Sequence, residues 1–121
     1  MPRASILVVE DSPTNMQLIT DALKHEGYRI SRATDGEEAL EKAISEQPDL
    51  IVLDVILPKK NGFQVCRQLR SSPDTRNIKI IMLTSKSQES DRYWGLKQGA
   101  DEYMIKPYKI EELLSNVAKL V

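Results

Sequence analysis

Five short strand-like runs recur along this chain, and a stretch with helical spacing follows each one. The runs are Ser5–Val9, Tyr28–Ala33, Leu50–Leu53, Ile80–Leu83 and Glu102–Ile105. After them, apolar residues return every three or four positions: Met16, Ile19, Ala22 and Leu23; Ala39, Leu40, Ala43 and Ile44; Phe63, Val65, Cys66 and Leu69; Tyr93 and Leu96; Leu113, Leu114, Val117 and Leu120. That spacing predicts helices. Strands that alternate with helices pair in parallel, with helices on both faces of the sheet. Right-handed crossovers then give an α/β, doubly wound (βα)5 sandwich. The expected order of its five-stranded parallel sheet is 2-1-3-4-5.

Punctuation supports this division. Asp11 or Ser12 can cap the first helix, and Pro13 suits its first turn. Gly27 stops that helix, Asp35-Gly36 reads as a turn, Pro48 closes the second helix and Gly99 the fourth. A chain of 121 residues predicts a single domain over 1–121. The net charge of -1 argues against nucleic acid as a partner. One cysteine, Cys66, excludes an internal disulfide, and with one histidine, His25, a His/Cys zinc site is implausible. Cys66 and the four methionines read as packing residues, and His25 as a solvated residue near a helix end. No apolar run reaches membrane-spanning length and no signal peptide is visible, so the expected location is cytoplasmic, without membrane insertion.

Leu50-Ile51-Val52-Leu53 has no polar side chain, and Asp54 ends it. Such a strand is buried on both faces, so its terminal carboxylate is held at the edge of the core. In doubly wound folds the site forms beyond the carboxyl ends of the strands. The unusual polar residues gather there. Glu10 and Asp11 follow the first strand, Thr84 and Ser85 the fourth, and Lys106 the fifth. Three carboxylates on one rim need compensation, and a hard divalent cation such as Mg2+ supplies it. Asp11 and Asp54 are the best ligands, with Glu10 acting through water and the Ile56 backbone carbonyl completing the shell. Asp54 could then attack phosphorus as a carboxylate nucleophile. Lys106 would offset phosphate charge, and the Thr84 hydroxyl would donate to it. Each residue also has a plainer reading: Asp11 as a helix cap, Asp54 as a loop acid, Thr84 and Ser85 as turn residues, Lys106 as a surface lysine. Their joint placement at four strand ends favours the site.

The pattern resembles the response-regulator receiver domain, the CheY-like phosphoacceptor of two-component signalling. The resemblance rests on Val8-Val9-Glu10-Asp11-Ser12, Leu53-Asp54-Val55-Ile56-Leu57-Pro58 with Gly62, Leu83-Thr84-Ser85, Gly99-Ala100-Asp101-Glu102-Tyr103 and Lys106-Pro107, and runs from about Ser5 to Leu120. It implies phosphorylation of Asp54, an acidic metal pair Glu10 and Asp11, a direct Mg2+ contact from the Ile56 carbonyl, a switch hydroxyl on Thr84, a switch aromatic at Tyr103 and a phosphate-contacting Lys106. The family often has a cis bond before the proline matching Pro107. It also implies a histidine kinase or phosphotransfer domain as phosphoryl donor. A downstream protein would read the face formed by the fourth helix, fifth strand and fifth helix. The expected state is a monomer or weak dimer, and the expected activity is phosphoacceptance rather than turnover.

Glu89-Ser90-Asp91-Arg92-Tyr93-Trp94-Gly95 with Gln98-Gly99-Ala100 looks like PilH-type regulators of twitching motility and taxis. The chain ends after the fifth helix, so the expectation is a receiver without an output domain. Tyr93 and Leu96 are expected in the core, which turns Trp94 toward solvent as an interaction candidate alongside Tyr103. Ile56 and Lys86 flank the phosphorylation position; a branched apolar group there would hinder the hydrolytic water and lengthen the phosphoryl lifetime. Three rivals fit less well. A haloacid-dehalogenase-type enzyme wants an acid where Ile56 stands. A flavin or dinucleotide module needs a glycine- or hydroxyl-rich loop where Glu10-Asp11-Ser12-Pro13 stands. An unphosphorylated pseudo-receiver would lack a motif residue, and none is missing.

Overall fold

The structure is a computed structural model that describes residues 4–85 and 89–121, with the backbone alone for 89–92. Lys86 and the side chains of Glu89, Ser90, Asp91 and Arg92 therefore lie outside the described residues. The strands are β1 (Ser5–Val9), β2 (Arg29–Ala33), β3 (Leu50–Asp54), β4 (Lys79–Thr84) and β5 (Glu102–Ile105). They alternate with helices α1 (Pro13–His25), α2 (Gly36–Glu46), α3 (Gly62–Ser71), α4 (Glu89–Lys97) and α5 (Ile110–Leu120). All four strand pairings are parallel, and the sheet order is β2-β1-β3-β4-β5, as predicted.

Alternation along the strands builds two cores. Leu7, Val9, Ile51, Leu53, Ile80 and Met82 pack with α2 and α3 on one face. Ile6, Val8, Leu50, Val52, Ile81 and Leu83 pack with α1 and α5 on the other. The central strands β1 and β3 are covered on both sides, which is why they contain almost nothing polar before their last residues. The chain steps from β1 out to β2 and then back past β1 to β3, so the switch point lies between β1 and β3 and the crevice opens above their carboxyl ends.

Caps fix where the helices begin. The Ser12 side chain accepts from the Asn15 N–H at 3.3 Å, and Pro13 occupies the first helical turn. Asp35 does the same for α2, accepting from the Glu38 N–H at 2.8 Å. Asp35-Gly36 is therefore a helix start rather than a turn. Asn61 and Gln64 form a reciprocal capping box at α3.

Three helical apolar residues depart from the expected core. Ile44 on α2 is exposed, because Ala39 and Ala43 already fill the narrow space over the sheet. Tyr93 and Leu96 are 62% and 40% exposed, so they do not form the buried stripe of α4. Gly95 takes that position. A Cβ on Gly95 would lie 2.6 Å from Tyr103 Cδ2 and 3.1 Å from Met82 Sδ. The helix backbone sits directly on the tyrosine ring, and the larger side chains turn outward.

At the opposite end of the sheet, one arginine on α3 gathers two connections. Arg70 donates from Nε to the Gly99 carbonyl at 2.9 Å and from Nη1 to the carbonyls of Arg76 and Ile78. Its Nη2 reaches Asp101 Oδ2 at 3.0 Å, and the same oxygen accepts from the Ile80 N–H. The end of α3, the start of β4 and the α4–β5 connection are thus fastened together. Among the described residues, no helix is long and apolar enough to cross a membrane.

Candidate functional site

The rim brings together residues that are far apart in sequence. Asp54 is the last residue of β3 and is buried. Glu10, directly after β1, is buried as well, whereas Asp11 beside it is exposed. One carboxylate oxygen from each of Glu10, Asp11 and Asp54 lies within 4.8 Å of the others. The cluster can hold a divalent metal ion: hard oxygen donors converge on one point, and two of the three acids are withdrawn from water.

Among the described residues, a single cation, Lys106, balances this charge. Lys106 Nζ is 2.7 Å from Asp54 Oδ2 and 3.4 Å from Glu10 Oε1. The Lys106 backbone N–H donates to the Thr84 carbonyl at 2.8 Å, which ties the end of β5 to the end of β4. The peptide bond between Lys106 and Pro107 is cis, as the resemblance implies. Burial opposes a charged Lys106. The hydrogen bond to Asp54 and the charges of Asp54 and Glu10 outweigh it and raise the ammonium pKa. Glu10 is pushed up to about 7, first by burial and then by the carboxylate of Asp54, with Asn15 and Lys106 pulling the other way. A carboxyl group buried beside a second carboxylate keeps its proton to higher pH than one in water.

The backbone holds Asp54 in place. The Ile56 N–H donates to Asp54 Oδ1 at 3.0 Å. The Val55 N–H donates to the Leu83 carbonyl, and the Gly62 N–H to the Val55 carbonyl at 2.7 Å. A Cβ on Gly62 would lie 2.5 Å from the Asp54 carbonyl oxygen, so α3 begins in direct contact with the peptide of Asp54. The Ile56 side chain stands at the rim, 54% exposed. Thr84 is completely buried at the end of β4, beside Ile105 in register, and Ser85 is exposed. Tyr103, expected as the switch aromatic, is buried in β5. Glu10, Asp11, Asp54 and Lys106 thus meet in one place. Tyr103 and Trp94 lie away from it, below and beside α4.

Sequence reasoning missed Asn15. It lies beside Glu10 and holds down that acid's pKa, and it lines a groove of about 690 Å³ with Leu18, Lys106 and Tyr108. The one available signal was its position in the first turn of α1, three residues after the cap.

The family described as the response regulator receiver domain matches residues 6–118. The chain belongs to that family. Its relatives include Protein PilH of Pseudomonas aeruginosa, 40% identical over 94% of both chains. The transcriptional regulatory protein PhoP of Bacillus subtilis is 47% identical over 96% of this chain but only 48% of its own length. The chain thus spans about half the length of such transcriptional regulators. Among solved structures, the chemotaxis response regulator CheY4 of Vibrio cholerae superposes with a TM-score of 0.91 at 31% identity, covering 98% of both chains. The receiver domain of the sensor histidine kinase PA1611 from Pseudomonas aeruginosa gives 0.89 at 33% identity, covering 97% of this chain and 96% of that one. That structure has a magnesium ion coordinated in its active-site cleft. The chain is therefore a receiver domain of a two-component response regulator, with the CheY-like fold.

Proposed function

We propose that this receiver accepts a phosphoryl group on Asp54 from a histidine kinase or phosphotransfer domain. The observation that carries the reading is the convergence of Glu10, Asp11, Asp54 and Lys106 on one rim. Asp54 Oδ attacks phosphorus in line, the N–P bond of the donor phosphohistidine breaks, and its electron pair returns to the imidazole nitrogen. Glu10, Asp11, Asp54 and the Ile56 carbonyl would hold Mg2+, which offsets the negative charge of acids and phosphoryl oxygens. Lys106 is already beside Asp54 and needs only to exchange one oxygen anion for another. Thr84 would donate to the new phosphoryl oxygens. Tyr103 would turn with it and reshape the α4–β5–α5 face for a downstream protein.

The groove beside Asn15 and Lys106 leaves an apolar landing surface for the donor next to the reacting carboxylate. Similarity to PilH and to a chemotaxis regulator supports a role in motility or taxis signalling. The reading treats the chain as a phosphoacceptor, not a turnover enzyme. Incubation with acetyl phosphate and Mg2+, followed by intact mass, tests it. One added phosphoryl group is expected, lost in Asp54→Ala; no addition, or addition that persists in that variant, sinks the proposal.

A further inference from the structure

The α4 helix carries three of the seven large apolar side chains that are exposed among the described residues: Tyr93, Trp94 and Leu96. Of the three, Trp94 alone lines a concavity between helices. Trp94, the only tryptophan in the chain, is 54% exposed. It does not share the side of Tyr93, whose ring lies 5.7 Å from Lys97 Nζ. Trp94 and Gln98 instead face α3 across a concavity of about 370 Å³, opposite Asn61, Phe63, Gln64 and Arg67.

Charge selects the occupant. Asn61 and Gln64 spend their side chains on the α3 cap, and among the described residues Arg67 is the one charged residue lining the concavity. It makes no ion pair among the described residues, and α3 contains no acid. Arginine and tryptophan together are the residue types that dominate binding energy at interfaces. The two walls also rest on the phosphorylation machinery. Gly62 seats α3 on the peptide of Asp54, and Gly95 seats α4 on the ring of Tyr103.

We infer that the α3–α4 concavity, with Trp94 and Arg67 as its anchors, docks an acidic segment of a partner protein that also presents an apolar side chain. This surface lies beside the α4–β5–α5 face and is separate from it. Its control by phosphorylation rests on the proposed function of Asp54, but binding itself does not.

The test selects short random peptides on display against the folded chain, with removal of binders to Trp94→Ala. Both anchors are exposed, so Trp94→Ala and Arg67→Glu should keep the wild-type circular dichroism. Enriched peptides should combine Asp or Glu with an aromatic or aliphatic residue and shift Trp94 fluorescence. They should bind Arg67→Glu about tenfold or more weakly, and recover when their acids are replaced by lysine. Enrichment of neutral or basic peptides, an unmoved Trp94 signal, equal binding to Arg67→Glu, or no enrichment overturns the inference. So does a Trp94 shift that follows protein concentration without peptide, because a second copy then covers the surface. Intact mass after acetyl phosphate separates the readings: a chain that gains no phosphoryl group yet binds acidic peptides loses the Asp54 proposal alone.

Discussion

Lys106 Nζ stands 2.7 Å from Asp54 Oδ2, and the two residues come from strands that do not pair with each other. The contact crosses above β4, where Lys106 N–H holds the Thr84 carbonyl. An ion pair at the open end of a sheet suits a placeholder: the lysine neutralises the acid, and under the proposed function it would pass to the phosphoryl oxygens.

Replacing Lys106 removes that neutralisation. Lys106→Met should lower stability by about 1–3 kcal/mol, because a buried carboxylate pair loses its cation. It should also slow loading of Asp54 by acetyl phosphate. Chemical denaturation and time-resolved intact mass measure the two effects. Unchanged stability would show that the pair contributes nothing net.

Glu10 sets a pH dependence. Its pKa rises from 4.5 to about 7 on folding, so between those values the folded state binds more protons than the unfolded chain. Metal-free stability therefore falls as pH rises through that window and stays low above it. Glu10→Gln should be the more stable protein near about pH 8, by on the order of 1–3 kcal/mol, and equal to the parent well below the window. Added Mg2+ favours the ionised acid and should stabilise the parent more than the variant. Thermal melts across pH, with and without the ion, check both signs.

Ile56→Asn places a polar side chain at the rim, two residues from Asp54. It should shorten the life of the phosphoryl group, and about a tenfold change corresponds to 1.4 kcal/mol in the barrier. The assay is loss of added mass after the phosphodonor is removed. An unchanged rate removes Ile56 from the account of lifetime.

Gly95→Ala sets helix propensity against packing. Alanine favours an exposed helix by about 1 kcal/mol. Here its methyl would press on the Tyr103 ring, and overpacking costs roughly 1–3 kcal/mol. The variant should be no more stable than the parent, while the same change in a Tyr103→Leu background should be stabilising. A double-mutant cycle by denaturation reads the coupling.

The fold was legible because its strands are short, apolar and separated by clean stops such as Gly27, Pro48 and Gly99. The site was legible because its acids interrupt apolar strands at their ends, where polarity needs a reason. What escaped was lateral packing. Tyr93 and Leu96 have helical spacing, yet a glycine between them takes the buried face. Ile44 follows the same rule behind two alanines. Periodicity tells where a stripe falls but not whether a large side chain fits beneath it. Asn15 escaped because a polar residue in the first turn of a helix already has a reason to be there.

Arg70 and Asp101 anchor α4 at its C-terminal end, through the Gly99 carbonyl and the turn into β5. Between that fastening and the start of the helix, Gly95 rests on the Tyr103 ring. A shift of the ring would therefore tilt the helix about its fastened end rather than carry it along whole. The arginine, though remote from the acidic rim, would be the fulcrum.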